Sequence, residues 1–309
     1  MADVSEVSVA LSCSLNGRLV ENTSPEADEP SVRTDEACIV VLDNIVSDQI
    51  RGAIHAILLG QSEASQNPST PPQSPPAATF ASDTADSIGS GVFSPGARDD
   101  VLDHLQSESC TAINDLLASM KSLYRSEVAD IRLLHDVDTS RCVLANAPSP
   151  GESQYGYHVD AEPATLADCE FVNSFGRFVN RSPGKPRLVS LLMYTNSSWD
   201  HTLDNGETLF VDDGSACGVL VAPKPGRVVL MDSDVRHRVQ APKASASKPR
   251  YSVVLKLAFL PRSQGSTPSL TKPIEHKRSC VAFGSAQTLA DAAVAASTSR
   301  KRQRRDESV

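Results

Sequence analysis

The sequence predicts an α+β domain in which helices precede a sandwich or barrel of antiparallel strands. Apolar residues recur at helical spacing in two segments before residue 126. Short β-type runs then follow one another between residues 141 and 260, and turn residues separate them. Hydrophobic residues make up 40% of the 309-residue chain. They concentrate at 37–59, 99–147 and 155–260, so we expect one sizeable core.

The first regular elements are a strand and a helix. Residues 38–42 form a short apolar run, and Ser47 is positioned as the N-cap of a helix. Four apolar residues follow the cap at helical spacing: Ile50, Ile54, Ile57 and Leu58. Residues 99–126 repeat apolar positions at intervals of three and four, which predicts helices with one buried face.

Six β-type runs supply the predicted strands. They span 141–145, 187–194, 208–211, 218–221, 227–231 and 251–260. Turn sequences at 204–206, 212–214 and 223–226 separate several of them. We therefore expect the domain to extend from residue 37 to residue 260.

The flanks and one internal stretch differ in composition from this domain. Residues 1–36 are rich in Ser, Glu, Asp and Pro, and residues 261–309 in Ser, Ala, Lys and Arg. Such composition predicts a disordered leader and a disordered basic tail. Residues 61–96 are low in complexity and rich in proline, which predicts an extended insertion that a single domain can tolerate.

Charge, hydropathy and cysteine content argue against some classes of protein. The net charge of −9 does not favour a protein that coats nucleic acid, and no apolar run approaches the roughly 18 residues of a membrane span. The start of the sequence has no basic segment before its short apolar stretch, so we expect an intracellular protein. The basic run at 300–305 suits either a nuclear import signal or a solvated tail, so nucleus and cytoplasm both remain open. The seven cysteines include no CxxC pair and are expected to be reduced thiols.

One constellation of residues suits metal chemistry. His158 and Asp160 are two apart, so on an extended strand both side chains reach one point, and His237 can supply a third ligand. Two histidines and one carboxylate leave three positions open on an octahedral ion, as Fe(II) needs to activate oxygen. Alternatively, His158 and Asp160 are a surface pair and His237 is a core residue.

The sequence also offers a positively charged side chain that could bind a carboxylate co-substrate. An extended dicarboxylate such as 2-oxoglutarate needs one cation for the carboxylate remote from the metal, and Arg250 stands just before the last predicted strand. Arg236, Arg238 and Lys248 are rival cations nearby.

Five sequence stretches occur in an order that resembles a known family. They lie at 155–160 (TyrxxHisxAsp), 192–200, 205–210 (AsnGlyGluThrLeuPhe), 225–239 and 250–254 (ArgTyrSerValVal). The order resembles the prolyl 4-hydroxylase branch of the Fe(II)/2-oxoglutarate-dependent dioxygenases, and the motifs are closest to hypoxia-inducible-factor-type prolyl hydroxylases. The resemblance covers residues 155–260 well and 37–260 loosely.

The resemblance implies a fold and a set of site residues. The fold is a double-stranded β-helix (jelly-roll) core with N-terminal helices packed on one sheet. The metal ligands are His158, Asp160 and His237. The 2-oxoglutarate site takes Arg250 and Tyr194, with Tyr155 as the aromatic residue ahead of the ligand pair.

It also implies an activity. Fe(II), 2-oxoglutarate and O2 would hydroxylate a C–H bond, most favourably in a prolyl residue of a protein or peptide substrate, with release of succinate and CO2 and with ascorbate supporting activity. Two alternatives remain open at this stage. One is a demethylase of nucleic acid or methylated protein, with a groove built on Arg236, Arg238, Lys243 and Lys248. The other is a non-catalytic adaptor. The sequence predicts no oligomeric state.

Overall fold

The computed structural model describes residues 7–21, 31–59, 99–134, 142–151, 156–212, 217–271 and 273. The predicted insertion at 61–96, the basic run at 300–305 and Tyr155 lie outside these ranges, so the expectations for them stay predictions.

The described part contains ten strands and five helices. The strands are β1 (Ser8–Glu21), β2 (Ser31–Asp43), β3 (Val128–Leu133), β4 (Val143–Asn146), β5 (Arg187–Tyr194), β6 (Thr208–Asp212), β7 (Cys217–Val221), β8 (Val228–Asp232), β9 (His237–Val239) and β10 (Ser252–Pro261). The helices are α1 (Asp48–Leu58), α2 (Asp99–Gln106), α3 (Thr111–Leu123), α4 (Glu170–Phe175) and α5 (His201–Asp204).

The strands form two antiparallel sheets. The major sheet has seven strands in the order β1-β2-β8-β5-β10-β3, with β4 also paired to β10, and the minor sheet has the order β7-β6-β9. Every strand pair in them is antiparallel. The predicted fold class, an α+β protein with a jelly-roll core, is confirmed.

The central strands of the major sheet are buried on both faces, which explains their nearly unbroken apolar sequences. In β5, Leu191 and Met193 face a core that includes side chains of α1, α2 and α3. Leu192 and Tyr194 face a second core, shared with Phe210 and other residues of the minor sheet. The helices therefore pack on one face of the major sheet, and the minor sheet covers the other.

The first helix begins where its sequence indicated. The Ser47 side chain accepts a hydrogen bond from the backbone N–H of Ile50 at 3.2 Å. Ile54, Ile57 and Leu58 are buried along one face of α1. The predictions of this helix and of helices within 99–126 are confirmed.

The N-terminal region differs from the predicted leader. Residues 8–21 form β1 and residues 31–36 belong to β2, and the two strands pair along their length. Cys13 and Leu15 are buried, and β2 joins the major sheet through β8. The alternation of Leu11, Cys13 and Leu15 with serines is a strand signal, which the polar composition of residues 1–36 concealed.

The start of the predicted tail also differs from expectation. Leu270 is fully buried, and its backbone oxygen accepts a hydrogen bond from the Tyr124 hydroxyl at 2.8 Å. The backbone oxygen of Pro268 accepts one from Arg187 at 2.8 Å. The segment 262–271 therefore belongs to the folded unit, because its carbonyl groups satisfy donors that would otherwise be buried without partners.

Candidate metal centre

The two candidate histidine ligands face each other across a backbone bridge. The N–H of His158 donates to the carbonyl oxygen of His237, and the N–H of His237 donates to that of His158, both at 2.9 Å. The ring centroids are 4.5 Å apart. The third residue is anchored to the turn between β8 and β9, because the N–H of Asp160 donates to the Ser233 carbonyl oxygen at 2.9 Å.

The side chains of these residues converge on one point. Nε2 of His158 lies 3.9 Å from Oδ1 of Asp160, and Nε2 of His237 lies 3.8 Å from Oδ2. The three candidate ligand atoms lie within 4.8 Å of one another. The side chains of Asp160 and His237 are buried, whereas that of His158 is 36% exposed, so the cluster opens to solvent on the His158 side.

Hydrogen bonds orient both imidazoles for metal binding. Nδ1 of His158 lies 3.1 Å from the carbonyl oxygen of Gly156, and Nδ1 of His237 lies 2.9 Å from that of Val235. A carbonyl oxygen can only accept, so each Nδ1 carries a proton, and in the neutral imidazole the lone pair lies on Nε2, the nitrogen that faces Asp160.

The charges of the cluster fit a divalent cation. Burial lowers the pKa of His237, and nearby His158 lowers it further although Asp160 opposes the shift, so this imidazole is neutral at pH 7. Oδ2 of Asp160 is buried and has no hydrogen-bond partner among the described residues. A buried carboxylate oxygen without a donor is costly, and a metal ion held by this oxygen and the two Nε2 atoms would remove the cost.

Buried ion pairs hold the turn between β8 and β9, which anchors Asp160 and leads to His237. Asp232, the last residue of β8, is bound by Arg187 at 2.6 and 2.7 Å, and Asp234 is bound by Arg181 at 2.7 and 2.9 Å. Asn180 also donates to Asp234 at 3.0 Å. Sequence analysis missed these residues, because the ion-pair partners are 45 to 53 positions apart and no local pattern links them.

Arg250 occupies a separate buried position. Its side chain is fully buried, and it donates to the carbonyl oxygen of Gly206 at 3.0 Å and to Oγ of Ser252 at 2.9 Å. Its guanidinium carbon lies 5.1 Å from the centre of the Tyr194 ring. Of the rival cations, Arg236 is exposed and Lys248 donates to Ser198.

Strand β6 connects this arginine with the metal cluster. Thr208 and Phe210 project from the same buried face of β6. Oγ1 of Thr208 lies 2.8 Å from the Tyr194 hydroxyl and 3.4 Å from Nη1 of Arg250, whereas the Phe210 ring lies 5.9 Å from that of His237. Two strand residues span about 7 Å, a distance that a small dicarboxylate can bridge.

A tight turn supports the Arg250 position. Asn205 and Gly206 both have positive φ, of 58° and 86°. Nε1 of Trp199 donates to the Asn205 carbonyl oxygen at 2.8 Å. Trp199 therefore packs on the turn whose Gly206 carbonyl oxygen accepts from Arg250. The AspAsnGly sequence at 204–206 predicts a turn. Nothing in these three residues indicates that the turn would accept a hydrogen bond from Arg250.

The central part of the chain matches a known family. Residues 143–255, which include His158, Asp160, His237 and Arg250, match the family model of the 2OG-Fe(II) oxygenase superfamily. These residues form a 2OG-Fe(II) oxygenase domain. No curated protein matches the sequence of the chain, and no helix in the described ranges is long and apolar enough to cross a membrane.

Two solved structures that are similar to this chain are prolyl hydroxylases. A Pseudomonas putida prolyl-4-hydroxylase is 18% identical, with 73% of this chain and 93% of that chain covered and a TM-score of 0.36. A Trichoplax adhaerens prolyl hydroxylase, in complex with a hypoxia inducible factor oxygen degradation domain peptide fragment, is 15% identical. It covers 78% of this chain and 87% of that chain, with a TM-score of 0.39.

Proposed function

We propose that the oxygenase domain binds Fe(II) through His158, Asp160 and His237 and hydroxylates a C–H bond of a protein or peptide. The observation that carries this proposal is the convergence of two oriented Nε2 atoms on the buried Asp160 carboxylate. When bound, Fe(II) and 2-oxoglutarate supply oxygen activation, in which one atom of O2 enters succinate, the other enters the substrate hydroxyl, and CO2 leaves.

The residues around the metal have distinct tasks in this proposal. Arg250 and Tyr194 bind and orient the remote carboxylate of 2-oxoglutarate, and Tyr155, which lies outside the described residues, is proposed as a further contact. Burial of Arg250 keeps water from competing for its donors. The partly exposed His158 marks the side on which a substrate approaches.

The finer parts of the proposal rest on the sequence. The choice of a prolyl residue follows from the order of the motifs between residues 155 and 254. Support by ascorbate follows from the same resemblance, and location in the nucleus or cytoplasm remains a prediction from the sequence.

The first experiment measures turnover of 2-oxoglutarate to succinate by the full chain with Fe(II) and ascorbate, with and without proline-containing peptides. We expect turnover that requires iron and rises with peptide. His237→Ala and Asp160→Ala should abolish both iron binding and turnover, because each removes one of three ligands. His201→Ala is the matched control, since His201 is exposed and lies on α5.

A negative result would be equally informative. If the folded wild-type protein neither binds Fe(II) nor consumes 2-oxoglutarate, the enzyme proposal is wrong and the adaptor hypothesis takes its place. Turnover that rises with methylated substrates and not with proline peptides would support the demethylase hypothesis.

A further inference from the structure

Exposed apolar side chains collect on one face of the oxygenase. The described residues include four exposed large hydrophobic side chains, and three of them are Tyr157, Val159 and Leu220, exposed by 43%, 43% and 56%. Leu220 lies on β7, the edge strand of the minor sheet. Tyr157 and Val159 flank His158, whose bridge to His237 adds this segment to the opposite edge of the same sheet.

The register of the minor sheet aligns these residues. Leu220 pairs with Leu209, and Leu209 pairs with Arg238. The antiparallel bridge between His158 and His237 brings Tyr157 beside Arg238 and Val159 beside Arg236. One row of side chains therefore extends from Leu220 to Tyr157 across three strand spacings, about 14 Å.

This row lies on the outer face of the minor sheet. His158 and His237 alternate with Tyr157, Val159, Arg236 and Arg238 along their strands, so their side chains point to the opposite face. The metal cluster is inside, and the apolar row is outside. Residues Tyr157, Val159, Leu209, Leu220, Arg236 and Arg238 are called the outer patch below.

The outer patch is cationic, although the chain as a whole has a net charge of −9. The guanidinium carbons of Arg238 and Arg236 lie 4.7 and 5.8 Å from the centre of the Tyr157 ring. Arg238 forms no side-chain hydrogen bond or ion pair with any part of the chain that the structure describes, and its Nε is buried without an acceptor there. Stacking on Tyr157 holds this charge beside apolar surface.

We infer that the outer patch binds an acidic, amphipathic segment of a partner protein. Carboxylates of the segment would pair with Arg236 and Arg238, and its apolar side chains would cover Tyr157, Val159 and Leu220. A second copy of this chain fits less well, because a two-fold contact would bring arginines against arginines. Nucleic acid fits less well, because the two arginines stand among apolar side chains on a chain of net charge −9.

The inference is independent of iron, so its test uses the full chain without Fe(II) or 2-oxoglutarate. A combinatorial library of displayed peptides, each of about 12 residues and reaching roughly 40 Å when extended, is selected against the immobilised protein. We expect the selected peptides to be enriched in Asp and Glu next to Leu, Ile, Val or aromatic residues.

Affinity for a selected peptide is then measured by fluorescence anisotropy. Arg236→Gln with Arg238→Gln should weaken binding at least about tenfold, which is about 1.4 kcal/mol, and Leu220→Ser should weaken it as well. The double variant Lys243→Gln with Lys248→Gln is the control. It also removes two positive charges, but outside the outer patch, and should leave the affinity for the peptide unchanged.

Three results would overturn the inference. They are a selection without acidic enrichment, equal losses in the arginine and lysine pairs, and binding of single-stranded DNA that competes with the peptides and depends on Arg236 and Arg238. Circular dichroism of each variant ensures that lost binding does not reflect lost folding.

Discussion

At the scale of single residues, backbone carbonyl groups decide which nitrogen each candidate ligand presents. The carbonyl oxygens of Gly156 and Val235 face Nδ1 of His158 and His237. In each neutral imidazole this leaves Nε2 as the nitrogen that can bind a metal. Arg250, which we propose binds 2-oxoglutarate, depends in the same way on Gly206, whose carbonyl oxygen accepts from its guanidinium group.

Gly206 tests this dependence. A Cβ at this position would lie 3.2 Å from Cδ of Arg250 and 3.2 Å from Cζ2 of Trp199, on a backbone with φ of 86°. We expect Gly206→Ala to raise the KM for 2-oxoglutarate by about tenfold or more, the effect of about 1.4 kcal/mol, with iron affinity unchanged. Gly52→Ala is the control, since a Cβ there meets no atom within 4 Å. An unchanged KM in the Gly206 variant would contradict the role given to this turn.

At the scale of elements, the buried Asp232 carboxylate ties three strands together. It accepts from Arg187 of β5 at 2.6 Å, belongs to β8, and accepts from the backbone N–H of Cys38 in β2 at 2.7 Å. Burial alone would raise the pKa of Asp232, but the charges of Arg187 and Arg181 lower it below its ordinary value. The turn that begins at this residue anchors Asp160 through the Ser233 carbonyl oxygen and leads to His237.

Asp232→Asn should destabilise the fold by about 3 kcal/mol or more. The substitution removes the negative charge and one of the two oxygens that accept from Arg187, so the buried guanidinium group would lose its counter-charge. A carboxyl group with a lowered pKa contributes stability above its unfolded pKa of about 3.9 and loses it as pH falls through the folded pKa. The variant should therefore show a shallower fall in the free energy of unfolding below about pH 4. Urea denaturation at several pH values measures this.

Asp130→Asn is the control for that experiment. Burial alone would raise the pKa of Asp130, but hydrogen bonds and ion pairs with Arg132 and Lys121 lower it below its ordinary value. Unlike Asp232, the Asp130 side chain lies near the surface. We expect a loss below about 1 kcal/mol. Equal losses in the two variants would mean that the Asp232 network does not hold the strands.

Strand β1 makes a second prediction at this scale. Leu15 is 2% exposed and packs in the core between the two sheets. Leu15→Ala should cost about 2 to 5 kcal/mol of stability, whereas Leu220→Ala, at a residue 56% exposed, should cost less than about 0.5 kcal/mol. Denaturant unfolding of both variants compares them. A negligible loss at Leu15 would mean that residues 8–21 do not belong to the folded sheet.

At the scale of the whole molecule, residues 8–21 and 262–271 both belong to a domain whose candidate site lies between them in the sequence. Carbonyl oxygens within residues 262–271 accept hydrogen bonds from the hydroxyl of Tyr124, the C-cap residue of α3, and from Arg187 of β5. Chain segments that are far apart in sequence therefore share one core, and the oxygenase match at 143–255 covers only part of the folded unit.

Truncation tests the extent of that unit. A chain that ends after residue 261 would leave the buried Tyr124 hydroxyl and one Arg187 donor without acceptors, at about 1 to 3 kcal/mol each. We expect its thermal midpoint to fall well below that of a chain that ends after residue 273. Equal midpoints would show that residues 262–271 add nothing to the fold.

The sequence by itself determined the fold class, the helix after Ser47, seven of the ten described strands and the residues proposed as ligands. These were readable because periodicity, caps and the HxD spacing are local signals that act within a few residues. It did not yield β1, β3 or β9, because a short or polar strand is stabilised by its neighbours more than by its own composition.

Only the tertiary structure decided how the site is supported. The bridge between His158 and His237, the Asp232 and Asp234 ion pairs, the Gly206 turn beneath Arg250 and the outer patch all join residues from different elements. Such contacts depend on sheet register and on which groups are buried together, and both are fixed when the two sheets pack. No pattern confined to one segment contains that information.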